Sequence, residues 1–167
     1  HSLSSTGLMT GAGAGFGGSC FPKDVRALVA KAVEIGVKPK LLKATLEVNE
    51  LQPLKLIELA KQTVGELKGR KIAVLGLAFK PDTDDMREAV SIKVINALLE
   101  EGAKVCAYDP QALDNARKFF GDRIVYAKGV EEALENADTC LIVTEWPEFA
   151  NAKLYNQMRL KVIIDGR

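Results

Sequence analysis

The sequence predicts an α/β fold: a Rossmann-like doubly wound parallel sheet of about five strands in the order 3-2-1-4-5, preceded by a long α-helical segment. Three observations carry this. After Gly69, continuous apolar runs such as KIAVLGL (71–77) alternate with helical stretches, the pattern of buried parallel strands joined by crossover helices. Before Gly69, apolar residues recur at three- and four-residue steps. The length, 167 residues, suits one domain of ordinary size and a helical arm.

The elements follow in order. Residues 1–11 open with HSLSSTGLM, which is small, polar and without period, and read as a tag or vector scar containing the only histidine, His1. Residues 12–68 form a second unit. A glycine-rich loop runs to residue 20. The apolar spacing of Val25, Leu28, Val29, Ala32 and Val33 then predicts a helix near 24–35. Gly36 and Pro39 interrupt it, and Leu42, Leu46, Leu56, Leu59 and Ala60 predict a long helix near 39–66. Pro53 lies inside that helix, where a missing N–H and a ring clash favour a kink. The apolar stripe of so long a helix needs covering, partly by one small domain and further by a second subunit.

Residues 69–167 form the third unit. Strand 71–77 is followed by a helix over 86–102, with Asp85 and Glu88 at capping-box spacing and Gly102 as the stop. KVCAYD (104–109) predicts a strand, ALDNARKFF (112–120) a helix and RIVYA (123–127) a strand. VEEALENA (130–137) predicts a helix and TCLIVTE (139–145) a strand. A loop and a short helix lead to a last strand, KVIID (161–165). Strand–helix alternation with right-handed crossovers yields the doubly wound order.

Composition excludes several function classes. Basic and acidic residues number 23 and 22, leaving a net charge of +1 without a basic block, so no nucleic-acid partner is expected. No apolar run reaches the roughly 18 residues that cross a bilayer, so no membrane association is expected. The cysteines Cys20, Cys106 and Cys140 are odd in number and widely spaced, which suits neither a disulfide framework nor a metal site. That usage points to a reducing, cytoplasmic setting. Cys106 and Cys140 fall in strand patterns and read as core. Cys20 alone falls in a loop.

That loop, GAGAGFGGSCFPKD (11–24), reads either as a flexible linker or as a binding loop. Phe16 and the abrupt SCFPKD oppose the linker. Glycines let a backbone approach a ligand and turn its amides toward phosphate. No strand precedes Gly11, Gly13 and Gly15, so the segment is not a dinucleotide fingerprint. Cys20 sits just before a helix beginning near Pro22 to Asp24, and the helix N-terminus together with Lys23 favours a thiolate. With His1 in the opening segment, no cysteine–histidine pair is expected. Asp24 either complements the helix dipole or handles a proton or a water.

GFGGSCFPKD resembles the active-site cysteine motif of the UDP-glucose 6-dehydrogenase family, within the wider nucleotide-sugar dehydrogenases. GLAFKPDTDDMREAVS (76–91) resembles that family's second motif, and AYDP (107–110) and DGR (165–167) also fit. The resemblance runs from about residue 12 to the end. It implies an NAD-dependent oxidation of a sugar primary alcohol to a carboxylate, with two NAD consumed and the aldehyde captured by a thiol as thiohemiacetal and then thioester. It implies Cys20 as nucleophile and Asp24 as organiser of the hydrolytic water. Lys23 and Arg87 are implied on the NAD side, and Gly15, Phe16, Gly17, Phe79, Lys80 and Arg167 on the UDP-sugar side. A homodimer through the central helix is also implied. Asp109 ends the second strand, where an ordinary Rossmann domain holds a ribose. KIAVLGLAFK lacks the accompanying glycine pattern, so Asp109 reads as structural.

Other family features have no counterpart. These are the N-terminal NAD-binding domain, an asparagine and a lysine on a helix before the cysteine loop, and an arginine at the place of GLMTG. The chain is therefore expected to be a fragment that does not form NADH from UDP-glucose alone. Alternatives are a GDP-mannose or UDP-N-acetylmannosamine dehydrogenase, a non-catalytic nucleotide-binding module in which Cys20 is incidental, or a dimerisation domain.

Overall fold

A computed structural model of the chain describes residues 13–167. The expectation of a tag, and Gly11, lie outside the described residues. Five strands, β1 (Lys71–Leu75), β2 (Lys104–Tyr108), β3 (Val125–Tyr126), β4 (Thr139–Ile142) and β5 (Ile163–Asp165), form one sheet in the order β3-β2-β1-β4-β5. Every pairing is parallel. Both the fold class and the strand order predicted from the sequence are present.

The central strand explains the two-layered core. Successive side chains on a strand point to opposite faces. Ile72 and Val74 face one core, completed by Val94, Ile95 and Leu98 of α3 (Val90–Glu100) and by Leu56, Ile57, Ala60 and Val64 of α2 (Lys40–Val64). Ala73 and Leu75 face the other, with Cys106, Cys140, Trp146, Phe149 and the apolar side of α5 (Val130–Leu134). Cys106 and Cys140 are buried strand residues, and burial pushes both thiols up from their ordinary range. The remaining helices are α1 (Phe21–Glu34) and α4 (Leu113–Phe120).

α2 packs only its C-terminal half on the sheet domain. Leu56 and Ala60 are buried, whereas Leu41, Val48, Leu51, Leu54 and Leu59 are exposed. Pro53 lies inside α2 and is buried. No helix of the described residues is long and apolar enough to cross a membrane.

Several predicted boundaries move for local reasons. The helix expected over 86–102 starts only at Val90, with Ala89 as its N-cap. The Asp85–Glu88 capping box does not form. Asp85 accepts from the Arg87 N–H at 2.9 Å, and Glu88 takes a left-handed φ of 54° and pairs with Arg26. β1 stops at Leu75 because Gly76 turns the chain with φ 85°. α5 ends at Leu134, ahead of the left-handed Asn136. The short helix expected before β5 is two 3₁₀ stretches, Pro147–Ala150 and Ala152–Gln157.

Candidate active site

The site lies at the carboxyl ends of the central strands, where open α/β sheets collect ligands. Gly76 leaves β1 so close to β4 that a Cβ there would stand 2.5–2.6 Å from Thr144. The chain then runs through Phe79, Lys80, Asp85 and Arg87 before α3 begins. Asp109 fixes the base of this segment. Its fully buried carboxylate accepts the N–H groups of Leu77 (2.6 Å), Ala78 (3.1 Å), Gln111 (2.9 Å) and Ala112 (2.8 Å), and the Trp146 indole N–H at 3.3 Å. A carboxylate satisfied on this many sides is turned into the protein, which accords with its structural reading.

The cysteine loop is laid over this base and tied at alternate residues. Ala14 N–H donates to the Gly166 carbonyl at 2.6 Å, beside the end of β5. Phe16 meets the Asn49 amide of α2 twice: its N–H donates to Oδ1 at 2.7 Å, and its carbonyl accepts from Nδ2 at 3.1 Å. Gly18 N–H donates to the Arg87 carbonyl at 3.0 Å. The contacts leave no room for side chains. A Cβ on Gly17 would lie 2.2 Å from the Glu88 carbonyl, and one on Gly18 would lie 2.8 Å from the Phe79 ring. The glycines are therefore required by close backbone approach.

The loop delivers Cys20 to the N-cap position of α1, with its thiol exposed and 3.6 Å from the Ser19 hydroxyl. α1 starts at Phe21, earlier than the spacing alone indicates, because Pro22 fits the first turn. The Phe21 ring meets the Phe16 ring edge-on at 4.7 Å. Lys23 and Asp24 are exposed and form an ion pair at 3.4 Å. The Arg87 guanidinium is gripped by the Asp85 carboxylate at 2.7–3.1 Å. Asp85 foremost, and the Cys20 sulfur to a smaller degree, hold the Arg87 proton more firmly, while Arg87 draws Asp85 below the usual carboxylate range. Arg167 is held by Asp165 at 2.7 and 2.8 Å, with Glu145 3.8 Å away. Lys80 stands 5.6 Å above the Phe79 ring. The sequence-predicted residues Gly15, Phe16, Gly17, Phe79 and Arg87 thus belong to one continuous surface with Cys20. Lys80 and Arg167 flank it, and Lys23 and Asp24 lie on the first turn of α1.

Sequence reasoning does not reach Asn49 or the Arg26–Glu88 pair, and it assigns Asp85 to a capping box where the structure has it holding Arg87. Asn49 had a visible signal: it takes a place in the α2 stripe of Leu42, Leu46, Pro53 and Leu56 that spacing assigns to an apolar residue.

Comparison with known proteins fits this geometry. A profile described as the UDP-binding domain of the UDP-glucose/GDP-mannose dehydrogenase family matches residues 73–167, more than half of the chain. The chain belongs to the UDP-glucose/GDP-mannose dehydrogenase family. The family's central-domain profile matches residues 4–51. A UDP-glucose 6-dehydrogenase of Haloferax volcanii is 48% identical over 94% of this chain and 36% of its own length. The solved structure of a UDP-glucose dehydrogenase from Pyrobaculum islandicum superposes with a TM-score of 0.85, at 40% identity, over 93% of this chain and 35% of that one. A UDP-D-ManNAc dehydrogenase from Pyrococcus horikoshii superposes at 0.77 with 30% identity, over 93% of this chain and 35% of that one. The chain spans about a third of the length of the curated relatives it matches.

Proposed function

We propose that this chain supplies the nucleophile and the UDP-sugar site of an NAD-dependent UDP-glucose 6-dehydrogenase, which converts UDP-glucose to UDP-glucuronate. The observation that carries the reading is the docking of the Cys20 loop on the Phe79–Arg87 segment, through Gly17, Gly18 and the Arg87 carbonyl. It puts an exposed thiol beside a surface built from glycine backbone, an aromatic ring and guanidinium groups, materials suited to a sugar diphosphate.

NAD suits the Cys20 side of that surface rather than the β1–β2 crevice. Asp109 is consumed by four backbone amides and an indole and has no face left for a ribose. Lys23 and Arg87 are exposed cations near the thiol and would hold the pyrophosphate. Bound NAD supplies the hydride acceptor for both oxidations. Phe79, Lys80, Arg167 and the backbone of residues 15–17 hold the UDP-sugar with its C6 toward Cys20. After the alcohol has become an aldehyde, the Cys20 sulfur adds to C6, and the carbonyl oxygen takes a proton. In the thiohemiacetal the C6 hydrogen sits beside a hydroxyl, so it can depart as hydride to the bound acceptor while the hydroxyl gives its proton to solvent, and a thioester remains on Cys20. Water, positioned by Asp24, attacks that carbonyl. The C–S bond breaks, the sulfur leaves and UDP-glucuronate is released.

The exposed apolar row of α2, with Leu28 and Val33 of α1, supports a homodimer through the central helix. UDP-N-acetylmannosamine is the runner-up substrate, on the 30% identity to the Pyrococcus horikoshii structure. The 48% and 40% identities to UDP-glucose enzymes favour glucose.

A chimera tests the reading. Residues 13–167 replace the matching segment of the Haloferax volcanii UDP-glucose 6-dehydrogenase, and NADH is followed with UDP-glucose, UDP-N-acetylmannosamine and GDP-mannose in turn. Two NADH per UDP-glucose are expected, with UDP-glucuronate lost in Cys20→Ser. Undiminished UDP-glucuronate from the serine variant overturns the proposal. The 167-residue chain alone is expected to form no NADH.

A further inference from the structure

We infer that Asn49 is a positioning residue that fixes the backbone of the cysteine loop at Phe16 from the side of α2. The inference deepens the proposed function, and its ligand-binding half rests on that reading.

The Asn49 amide does for Phe16 what a neighbouring strand does in a sheet. Oδ1 accepts the Phe16 N–H at 2.7 Å, and Nδ2 donates to the Phe16 carbonyl at 3.1 Å. Both backbone groups of one residue are thereby satisfied by one side chain. Only an amide offers an acceptor and a donor at that separation on so short a stem. Asn49 is itself buried on the helix face. A polar group there costs stability unless it is paired, so the residue is paired to the loop or is a liability.

Two further features meet at the same point. Gly15 takes a φ of 119° and passes so close that a Cβ would stand 2.8 Å from Asn49 Oδ1 and 3.5 Å from the Asn49 main-chain carbonyl. Pro53, four residues on within α2, has no N–H to give that carbonyl. The helix thus lacks its regular i→i+4 bond at the Asn49 carbonyl, and carries a polar side chain, where the loop crosses it. The other ties, Ala14 to Gly166 and Gly18 to Arg87, come from the sheet domain. Among the described residues, Asn49 supplies the hydrogen bonds that couple the middle of the loop, two residues from Gly18 and four from Cys20, to α2, beside the ring contact of Phe16 with Phe21 of α1.

The test compares two variants of similar shape in the 167-residue chain. Asn49→Leu removes donor and acceptor while keeping an apolar group suited to the stripe. Asn49→Asp keeps an acceptor for the Phe16 N–H. Amide hydrogen exchange at Phe16 is measured against core amides of Val74 and Leu141, and UDP-glucose affinity is measured by titration calorimetry. In Asn49→Leu, Phe16 exchange is expected to rise by about tenfold while Val74 and Leu141 stay unchanged, the loss of about one hydrogen bond. In Asn49→Asp, Phe16 exchange stays within about threefold of the unsubstituted chain, since the acceptor persists. UDP-glucose binding weakens by about tenfold in Asn49→Leu. Unchanged Phe16 exchange in Asn49→Leu overturns the inference, as does a rise shared equally by the core amides. If UDP-glucose does not bind the unsubstituted chain while Phe16 responds as described, the positioning role stands and the substrate reading falls.

Discussion

Arg26 of α1 grips Glu88 through both guanidinium arms, with Nη1 3.2 Å from Oε1 and Nη2 2.9 Å from Oε2. The pair spans the two halves of the site. Arg26 is six residues beyond Cys20, and Glu88 follows Arg87 in a left-handed conformation that a non-glycine residue holds only when its surroundings demand it. The grip on the side chain and the close approach of Gly17 to the Glu88 carbonyl act on one residue from two sides.

The Arg26 hydrogen bond, foremost, holds the Glu88 carboxyl below its ordinary range. A depressed carboxyl contributes stability that is fully present above its unfolded value and is lost as pH falls through the folded one. Urea unfolding of Arg26→Leu is expected to show a loss of about 0.5 kcal/mol at pH 7, small because both groups are 45% exposed and screened. The loss should vanish near pH 2. An equal loss at both values contradicts an ionic origin.

Gly17→Ala and Gly76→Ala are expected to damage the chain differently. Gly76→Ala places a methyl against Thr144 in a φ of 85°, and should cost about 3 kcal/mol or more of global stability in chemical denaturation. Gly17→Ala meets the Glu88 carbonyl at the surface of the sheet domain. The loop can lift away there, so stability should fall by only about 1 kcal/mol while UDP-glucose affinity falls sharply in calorimetry.

Asp109→Ala leaves buried N–H donors of Leu77, Ala78, Ala112 and Trp146 without an acceptor. A loss of about 3–5 kcal/mol is expected, measured by thermal unfolding. Asp109→Asn keeps one acceptor and should cost about half as much. A neutral Asp109→Ala would show that the β1 exit holds its shape unaided.

The three thiols provide a count. Cys20 is exposed, whereas Cys106 and Cys140 are buried in β2 and β4 and pushed up by burial. Mass spectrometry after brief iodoacetamide treatment should find one carboxamidomethyl group on the native chain, at Cys20, and three after unfolding in urea.

The sheet was legible in the sequence because parallel strands buried on both faces write continuous apolar runs, as KIAVL does in β1. The boundaries were less legible where one residue overrode a pattern. Asp85 and Glu88 have capping-box spacing, yet ion pairs with Arg87 and Arg26 outcompete the cap and hold residues 85–88 out of the helix. Cys20, Phe79 and Arg87 were legible through motifs that fix residue types over short spans. Asn49 was legible only as a polar residue in an apolar stripe; its role was not, because its partner Phe16 lies 33 residues away and only the folded loop turns that residue into a clamp.

Protection of Cys20 by nucleotide sugar tests the central claim most directly. The carboxamidomethylation rate of Cys20 is measured in the 167-residue chain over rising UDP-glucose, with glucose alone as the control. A saturable fall in rate of about tenfold, absent with glucose, is the predicted result. A rate that stays constant while calorimetry shows UDP-glucose bound would place the thiol away from the sugar and contradict its role as the nucleophile.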